Sequence, residues 1–245
     1  MATDMFSTPD GSLWHARASG ALAMGPGWAW DDAWYLVDGS GRLNTGWSWH
    51  SGSWYWMDIE TGVMQTGWFR DFSGTWYLAD ASGAMLTGWQ LRGAWYYLTS
   101  SGAMKTGWLW DGAWYWLNLN SGAMATGWFE AEGDWYYADG SGAMRAGWLN
   151  LSGTWYYLSD SGAMASRRRE GGYYVGASDA MVTDGFTPDG YYCGPDGAWQ
   201  YIYWTPGRER YHRTKDCPTL DGSGRIESGT LGGAGARTAC KVCWR

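Results

Sequence analysis

The dipeptide Gly-Trp recurs at Trp28, Trp47, Trp68, Trp89, Trp108, Trp128 and Trp148, at spacings of 19, 21, 21, 19, 20 and 20 residues. A fixed period of this length means one supersecondary unit repeated along the chain, each copy burying its apolar face against its neighbours. A second Trp, followed by Tyr and then an aromatic residue or Leu, recurs at Trp34, Trp54, Trp76, Trp95, Trp114, Trp135 and Trp155. One unit reads Gly88-Trp89, four residues, Ala94-Trp95-Tyr96-Tyr97-Leu98, then Thr99-Ser100-Ser101-Gly102, then Ala103-Met104-Lys105-Thr106-Gly107-Trp108. Two or three Gly per unit disfavour helix, at about 1 kcal/mol each, and suit turns. Each unit therefore reads as a β-hairpin: an aromatic strand, a Ser-Gly turn, and a second short strand ending at the next Gly-Trp.

Strand alternation sorts the faces. Trp95 and Tyr97 point one way and Tyr96 the other, while Met104, Thr106 and Trp108 share a face on the return strand. A lone hairpin is marginal in water, so the units must stack as a solenoid with nearest-neighbour contacts. The expected fold is all-β, a solenoid of stacked hairpins with a small C-terminal module held by a metal or a disulfide. Its segments are a degenerate capping repeat at 1–27 (Leu13-Trp14 to Met24), seven repeats at 28–166, diverged terminal hairpins at 167–200, and a Cys/His module at 201–245. The Met series (Met64, Met85, Met104, Met124, Met144, Met164) reads as packing against ring edges.

Composition and charge narrow the function. The 245 residues include 23 Trp, 17 Tyr and 39 Gly, and 20 of the Trp precede residue 167. That indole-rich segment carries 6 Lys+Arg against 15 Asp+Glu, whereas 167–245 carries 11 against 9. An acidic surface repels phosphate backbones and favours cations, so nucleic acid is not an expected partner. No apolar run reaches the roughly 18 residues of a spanning helix, so membrane insertion is not expected.

The pattern Gly-Trp, three or four residues, Gly-x-Trp-Tyr-Tyr-Leu-x2-Ser-Gly-x-Met, as at 88–108 and 147–164 and followed by x-Thr-Gly-Trp in the first of these, resembles the cell-wall-binding repeat of the choline-binding protein family over about 150 residues. The resemblance implies a left-handed superhelix of hairpins holding choline, or phosphocholine on teichoic acid and related cell-wall polymers, between consecutive units. Glucan-binding repeats share some of these elements but usually lack the Trp heading the Tyr pair. By resemblance, each pocket takes the Gly-Trp indole, the following Trp-Tyr indole, and the aromatic two after that Trp in the next unit. The implied pockets are Trp28/Trp34/Trp56, Trp68/Trp76/Tyr97, Trp89/Trp95/Trp116, Trp108/Trp114/Tyr137 and Trp128/Trp135/Tyr157. Leu36 and Leu78 stand where a third aromatic belongs, so the Trp47/Trp54 pocket is expected to be weak or absent. The Trp148/Trp155 pocket depends on Tyr174. Chemically, a quaternary ammonium cannot donate hydrogen bonds, and ring quadrupoles with a matching shape are what can hold it.

Other readings of the same rings are hydrophobic stacking alone, a solenoid that self-associates into a fibre or homo-oligomer, and carbohydrate binding. Arg167-Arg168-Arg169-Glu170-Gly171-Gly172 breaks the pattern and reads as a solvated turn. Two units without the leading Trp follow, Gly172 to Met181 and Gly190 to Trp199. His212, Cys217, Cys240 and Cys243 give His-x4-Cys-x22-Cys-x2-Cys, a spacing that suits tetrahedral Zn²⁺ and leaves a disulfide open, since the solenoid points outside the cell. The segment resembles small modules related to the zinc domain of the Ada DNA-repair protein, sharing Cys-Lys-x-Cys. No catalytic motif is readable, so no enzyme is expected, and His15 and His50 read as incidental. No apolar stretch of a secretory leader follows Met1-Ala2-Thr3-Asp4, although the partner class implies an extracellular, wall-associated location.

Overall fold

A computed structural model describes residues 5–15, 26–166, 168–220 and 224–244. Met24, at the end of the first unit, lies outside them, as does Arg167. The chain divides into two compact units, Met1–Ala125 and Thr126–Arg245.

In the first unit, antiparallel hairpins follow one another: Met5–Ser7 with Leu13–His15, Gly27–Trp30 with Trp34–Val37, and Gly46–His50 with Ser53–Met57. Gly67–Arg70 with Trp76–Ala79, Gly88–Leu91 with Trp95–Leu98, and Gly107–Trp110 with Trp114–Leu117 complete it. The second unit continues the series with Gly127–Ala131 on Asp134–Ala138, Gly147–Leu151 on Thr154–Leu158, and Arg168–Glu170 on Tyr173–Val175. The all-β class of stacked hairpins is the observed one.

The pairing inside a unit differs from the sequence expectation. The aromatic strand pairs backwards with its own Gly-Trp strand, Trp89 opposite Tyr97, and the turn is the short tip between them. The Ser-Gly loop leads instead to a single bridge, Leu98 to Met104. The return strand cannot continue from Met104 to Trp108 because Gly107 takes a left-handed φ of 75°, which breaks the pleat and starts the next hairpin. The segment read as a solvated turn at 167–172 likewise supplies a strand, Arg168–Glu170.

Two contacts join successive hairpins. The Met85 N–H donates to the Trp54 carbonyl at 2.8 Å, Met104 to Trp76 at 2.8 Å, Met124 to Trp95 at 2.8 Å, and in the second unit Met164 to Trp135 at 2.8 Å and Met181 to Trp155 at 2.7 Å. Five Met side chains then press on the glycine of the following loop, so that a Cβ at Gly83, Gly102, Gly122, Gly162 or Gly197 would collide with the thioether of Met64, Met85, Met104, Met144 or Met181. The methionines are packing residues, as read from the sequence, and the glycines are the notches that receive them. The loops are set by Asx turns. The Asp80 Oδ1 accepts the Ser82 N–H at 2.8 Å, the Ser82 hydroxyl at 2.7 Å and the Ala84 N–H at 3.1 Å, and these bonds, the Ser82 hydroxyl first, hold its carboxyl below the usual range.

After Val175 the repeats give way to a three-stranded sheet, Gly185–Phe186, Tyr192–Cys193 and Trp199–Gln200. A four-stranded sheet follows, in which Ile202–Trp204 lies between Glu227–Gly229 and Arg210–His212, and Thr238–Ala239 adds to the far edge in parallel. Its core is Tyr192, Ile202, Trp204 and Ala234 with Phe186, Tyr211, Leu231 and Trp244 against it. The Trp204 indole N–H donates to Glu227 at 3.0 Å.

The notch gives a paired test. Gly93 and Gly102 both have left-handed φ, 77° and 83°, but a Cβ at Gly93 meets open space. Gly93→Ala is expected to cost about 1 kcal/mol of backbone strain, and Gly102→Ala a further 1–3 kcal/mol of overpacking, roughly. Denaturant midpoints compare them, and equal losses would contradict the Met–Gly joint.

Candidate functional site

In five of the hairpins the two repeated indoles lie on one face and meet edge to face. Trp28 and Trp34 are 6.3 Å apart at 83°, Trp47 and Trp54 6.4 Å at 88°, Trp68 and Trp76 6.3 Å at 87°, Trp89 and Trp95 6.4 Å at 86°, and Trp108 and Trp114 6.2 Å at 84°. Cross-strand register requires this, because residues of like parity on paired strands share a face. The second indole of each pair is part-exposed, at 43% for Trp34, Trp95 and Trp114, so its flat side is available to a ligand.

The third ring comes from the next hairpin, and the structure places it one residue earlier than expected. Tyr55, not Trp56, lies 4.7 Å from Trp28, Tyr96, not Tyr97, 4.9 Å from Trp68, and Tyr115, not Trp116, 4.9 Å from Trp89. Tyr156, not Tyr157, lies 5.1 Å from Trp128. The reason is parity. The residue two after the second Trp shares that Trp's face and packs within its own hairpin, as Trp56 does on Trp47 at 5.3 Å, Tyr97 on Trp89 at 5.2 Å, Trp116 on Trp108 at 5.1 Å, Tyr137 on Trp128 at 5.2 Å and Tyr157 on Trp148 at 5.1 Å. Only the residue between them faces the preceding hairpin. Trp56 is accordingly 3% exposed.

The same parity rebuilds two sets that the sequence left weak. Tyr77 lies 4.6 Å from Trp47, so Trp47/Trp54 has its third ring although Leu78 follows, and Tyr173, not Tyr174, lies 5.3 Å from Trp148. Cavities open at two of the ring sets. One of about 300 Å³ is lined by Trp28, Trp34, Tyr55, Met64, Ala81 and Ser82, and one of about 220 Å³ by Trp148, Trp155, Tyr173, Met181 and Asp196.

Three indoles that the sequence reading left unassigned extend the rims. Trp30, Trp49 and Trp110 stand across the strand pair from Trp34, Trp54 and Trp114, with centroids 5.2, 5.4 and 5.4 Å apart. The signal was present as Gly-Trp-x-Trp in three of the seven units.

Comparison with known proteins decides what these rings belong to. Choline-binding repeat families match residues 86–129, 125–168 and 167–199, and a putative cell wall binding repeat matches 66–85. Choline binding protein F from Streptococcus pneumoniae is 32% identical with a TM-score of 0.67, over 77% of this chain and 75% of that one. It has also been crystallised in the presence of a peptidoglycan analogue, a tetrasaccharide-pentapeptide. CbpJ from S. pneumoniae is 33% identical with a TM-score of 0.70, over 81% and 79%, and the choline-binding domain of CbpL from the same species is 33% identical with a TM-score of 0.57, over 72% and 98%. No curated protein sequence is matched. The chain belongs to the choline-binding repeat family. It is a choline- and cell-wall-binding module built of stacked hairpins.

In the last matched repeat, 167–199, an arginine takes the place of the Gly-Trp indole. Arg169 pairs with Tyr174 as Trp148 pairs with Tyr157, and its guanidinium lies 4.4 Å over the Tyr191 ring and 5.7 Å from Trp199, bonded to Asp189. The chain's own cation fills that aromatic pair.

Beyond the matched residues, His212, Cys217, Cys240 and Cys243 converge with all ligand atoms within 4.8 Å of one another. The Cys217 and Cys240 sulfurs are 4.0 Å apart, and Cys243 Sγ is 3.8 Å from His212 Nδ1. Ligands about 2.3 Å from a tetrahedral ion would be separated by roughly these distances. Burial, then the positive charge of Arg208, lowers the His212 pKa and favours the neutral, metal-binding imidazole. Burial raises the Cys240 thiol, but hydrogen bonds from Thr219 and from the Val242 and Cys243 amides outweigh it and bring it to about 7. Burial pushes Cys243 up to about 11.

The division between facing and internal rings predicts opposite responses at adjacent residues. Tyr77→Ala should alter near-ultraviolet circular dichroism through Trp47 with about 1 kcal/mol lost, whereas Leu78→Ala, wholly buried, should cost about 2–5 kcal/mol. Equal stability losses would count against the assignment of faces.

Proposed function

We propose that the inter-hairpin ring sets are cages for the trimethylammonium group of choline on cell-wall polymers such as teichoic acid. The walls are Trp28, Trp34 and Tyr55; Trp47, Trp54 and Tyr77; Trp68, Trp76 and Tyr96; Trp89, Trp95 and Tyr115; and Trp128, Trp135 and Tyr156. Trp108 and Trp114 supply two walls of a further cage. The observation that carries this reading is the recurrence of one geometry, two perpendicular indoles with a tyrosine from the next hairpin, in four sets, with an open cavity at Trp28, Trp34 and Tyr55. Quadrupoles of three rings at about 0.5–2 kcal/mol each support millimolar affinity for one headgroup, since 1 mM is roughly 4 kcal/mol. Several cages on one polymer raise the avidity by about 10²–10⁴. The module acts by attachment and without catalysis, on the outside of the cell. Among the described residues, no helix is long and apolar enough to cross a membrane.

Choline at millimolar concentration should change Trp fluorescence saturably, and glucose oligomers should not. Tyr55→Ala should reduce that amplitude by about one cage's share with little loss of stability, while Trp56→Ala should cost about 3–5 kcal/mol. A choline response that survives Tyr55→Ala undiminished would remove Tyr55 from the site.

The C-terminal cluster reads as a zinc site in which His212, Cys217, Cys240 and Cys243 complete a closed tetrahedron, with the metal supplying folding energy that so small a module lacks. Metal analysis should find one zinc per chain, and chelation should lower the melting temperature of this module. Four freely titrating thiols in metal-free, fully folded protein would contradict it.

A further inference from the structure

The turn residue that closes each cavity is not the same along the chain. The glycine that receives a methionine is preceded by a hydroxyl residue in the ordinary units, Ser82 before Gly83, Ser101 before Gly102, Ser121 before Gly122 and Ser161 before Gly162. Before Gly197, which receives Met181, stands Asp196. The exchange matters because this position lines the cavity. Ser82 lies on the wall of the Trp28/Trp34/Tyr55 cavity, and Asp196 occupies the matching place beside Trp148, Trp155, Tyr173 and Met181. The Trp148 cavity thus has a carboxylate where the Trp28 cavity has a neutral hydroxyl, and at about 220 Å³ against 300 Å³ it is the smaller of the two.

The carboxylate has capacity to spare. Asp196 Oδ1 accepts the Ala198 N–H at 3.1 Å, a turn bond of the kind made by Asp80 in another loop, and among the described residues Asp196 enters no ion pair. An ionised carboxylate offers about four lone-pair sites. A trimethylammonium group can use only its charge, because it has no N–H to donate. An ammonium that keeps N–H groups gains a charge-assisted hydrogen bond as well, which offsets the stronger hydration that otherwise keeps such ions out of an aromatic cage.

We propose that the Trp148/Trp155/Tyr173/Met181/Asp196 cavity is a site for an alkylammonium bearing N–H groups, of the ethanolamine or lysine side-chain type. Tyr173 and the two indoles hold the methylene stem and the charge, and Asp196 accepts from the nitrogen. This rests on the cage reading above and adds to it a site of different selectivity on the same stack.

The test uses the full chain with ¹⁵N-labelled indoles, the Trp148 and Trp155 signals being assigned by Trp148→Phe and Trp155→Phe. Choline, N,N-dimethylethanolamine, ethanolamine and Nα-acetyl-lysine amide are titrated at neutral pH, the last two separating a headgroup from a side-chain source. Ethanolamine or the lysine amide should shift the Trp148 and Trp155 signals and leave those of Trp28 and Trp34 unmoved. Asp196→Ser, which installs the residue of the other turns, should weaken that binding by about five-fold or more and choline binding at this cage by less. Asp196→Asn, which keeps the turn bond, should do the same. If choline shifts the Trp28 and Trp34 signals but neither amine shifts those of Trp148 and Trp155, or if Asp196→Ser weakens choline and ethanolamine equally, the proposal falls and the cage reading stands. If choline shifts no indole signal anywhere, the cage reading fails and this one with it.

Discussion

The backbone bond from a methionine N–H to the carbonyl of the preceding hairpin's second Trp, made by Met64, Met85, Met104 and Met124 in the first unit and by Met164 and Met181 in the second, is the joint on which the stack depends. A two-stranded hairpin of four or five residues per strand buries too little to persist alone. The bond fixes the height of one hairpin on the next, and the methionine side chain, seated in a notch that only glycine provides, fixes its rotation. Because the bonded carbonyl belongs to the part-exposed Trp of each pair, the contact that builds the fold also positions the exposed ring face. Exposed ring and joint are the same residue.

Much of this is legible in the residues. The period, the hairpin class and the alternation of Trp95, Tyr96 and Tyr97 follow from spacing and pleat. Parity shows which residues share a face, but not which face meets which neighbour, so the spacing points to Trp56 where Tyr55 is the ring that meets Trp28. Leu78 misled for the same reason, since the residue that closes on Trp47 is Tyr77. Strand pairing was hidden by the resemblance of the Ser-Gly loop to a hairpin turn, whereas the left-handed Gly107 ends the strand that such a turn would need. At the C-terminus His212, Cys217, Cys240 and Cys243 stand out in the sequence because their types and spacing are distinctive, and the structure brings them together. The sheet that carries them does not stand out, because its pairs are short and join distant residues such as Arg210 and Thr238.

The cages share a frame but differ at their rims. The Arg70 guanidinium lies 4.5 Å over the Trp76 ring, a built-in competitor for a cationic ligand at that wall. The Trp89 indole N–H donates to Asp111 at 2.8 Å, which fixes the ring and brings a negative charge to its edge. His50 packs 5.7 Å from Trp28. The acidic balance read from composition is thus resolved into individual groups, some pinning walls and some holding loops.

The unequal spacings of the repeat have a location. The joint residue always precedes the next Gly-Trp indole by four positions, as Met64 does Trp68 and Met144 does Trp148, whereas the second indole follows the first by six to eight positions across the hairpin tip and the joint residue follows the second indole by nine or ten across the next loop. Length varies only where the chain is free to bulge. A whole period can therefore be duplicated or lost with both of its joints conserved, and the number of headgroups a molecule grips becomes a quantity that inheritance can adjust one hairpin at a time.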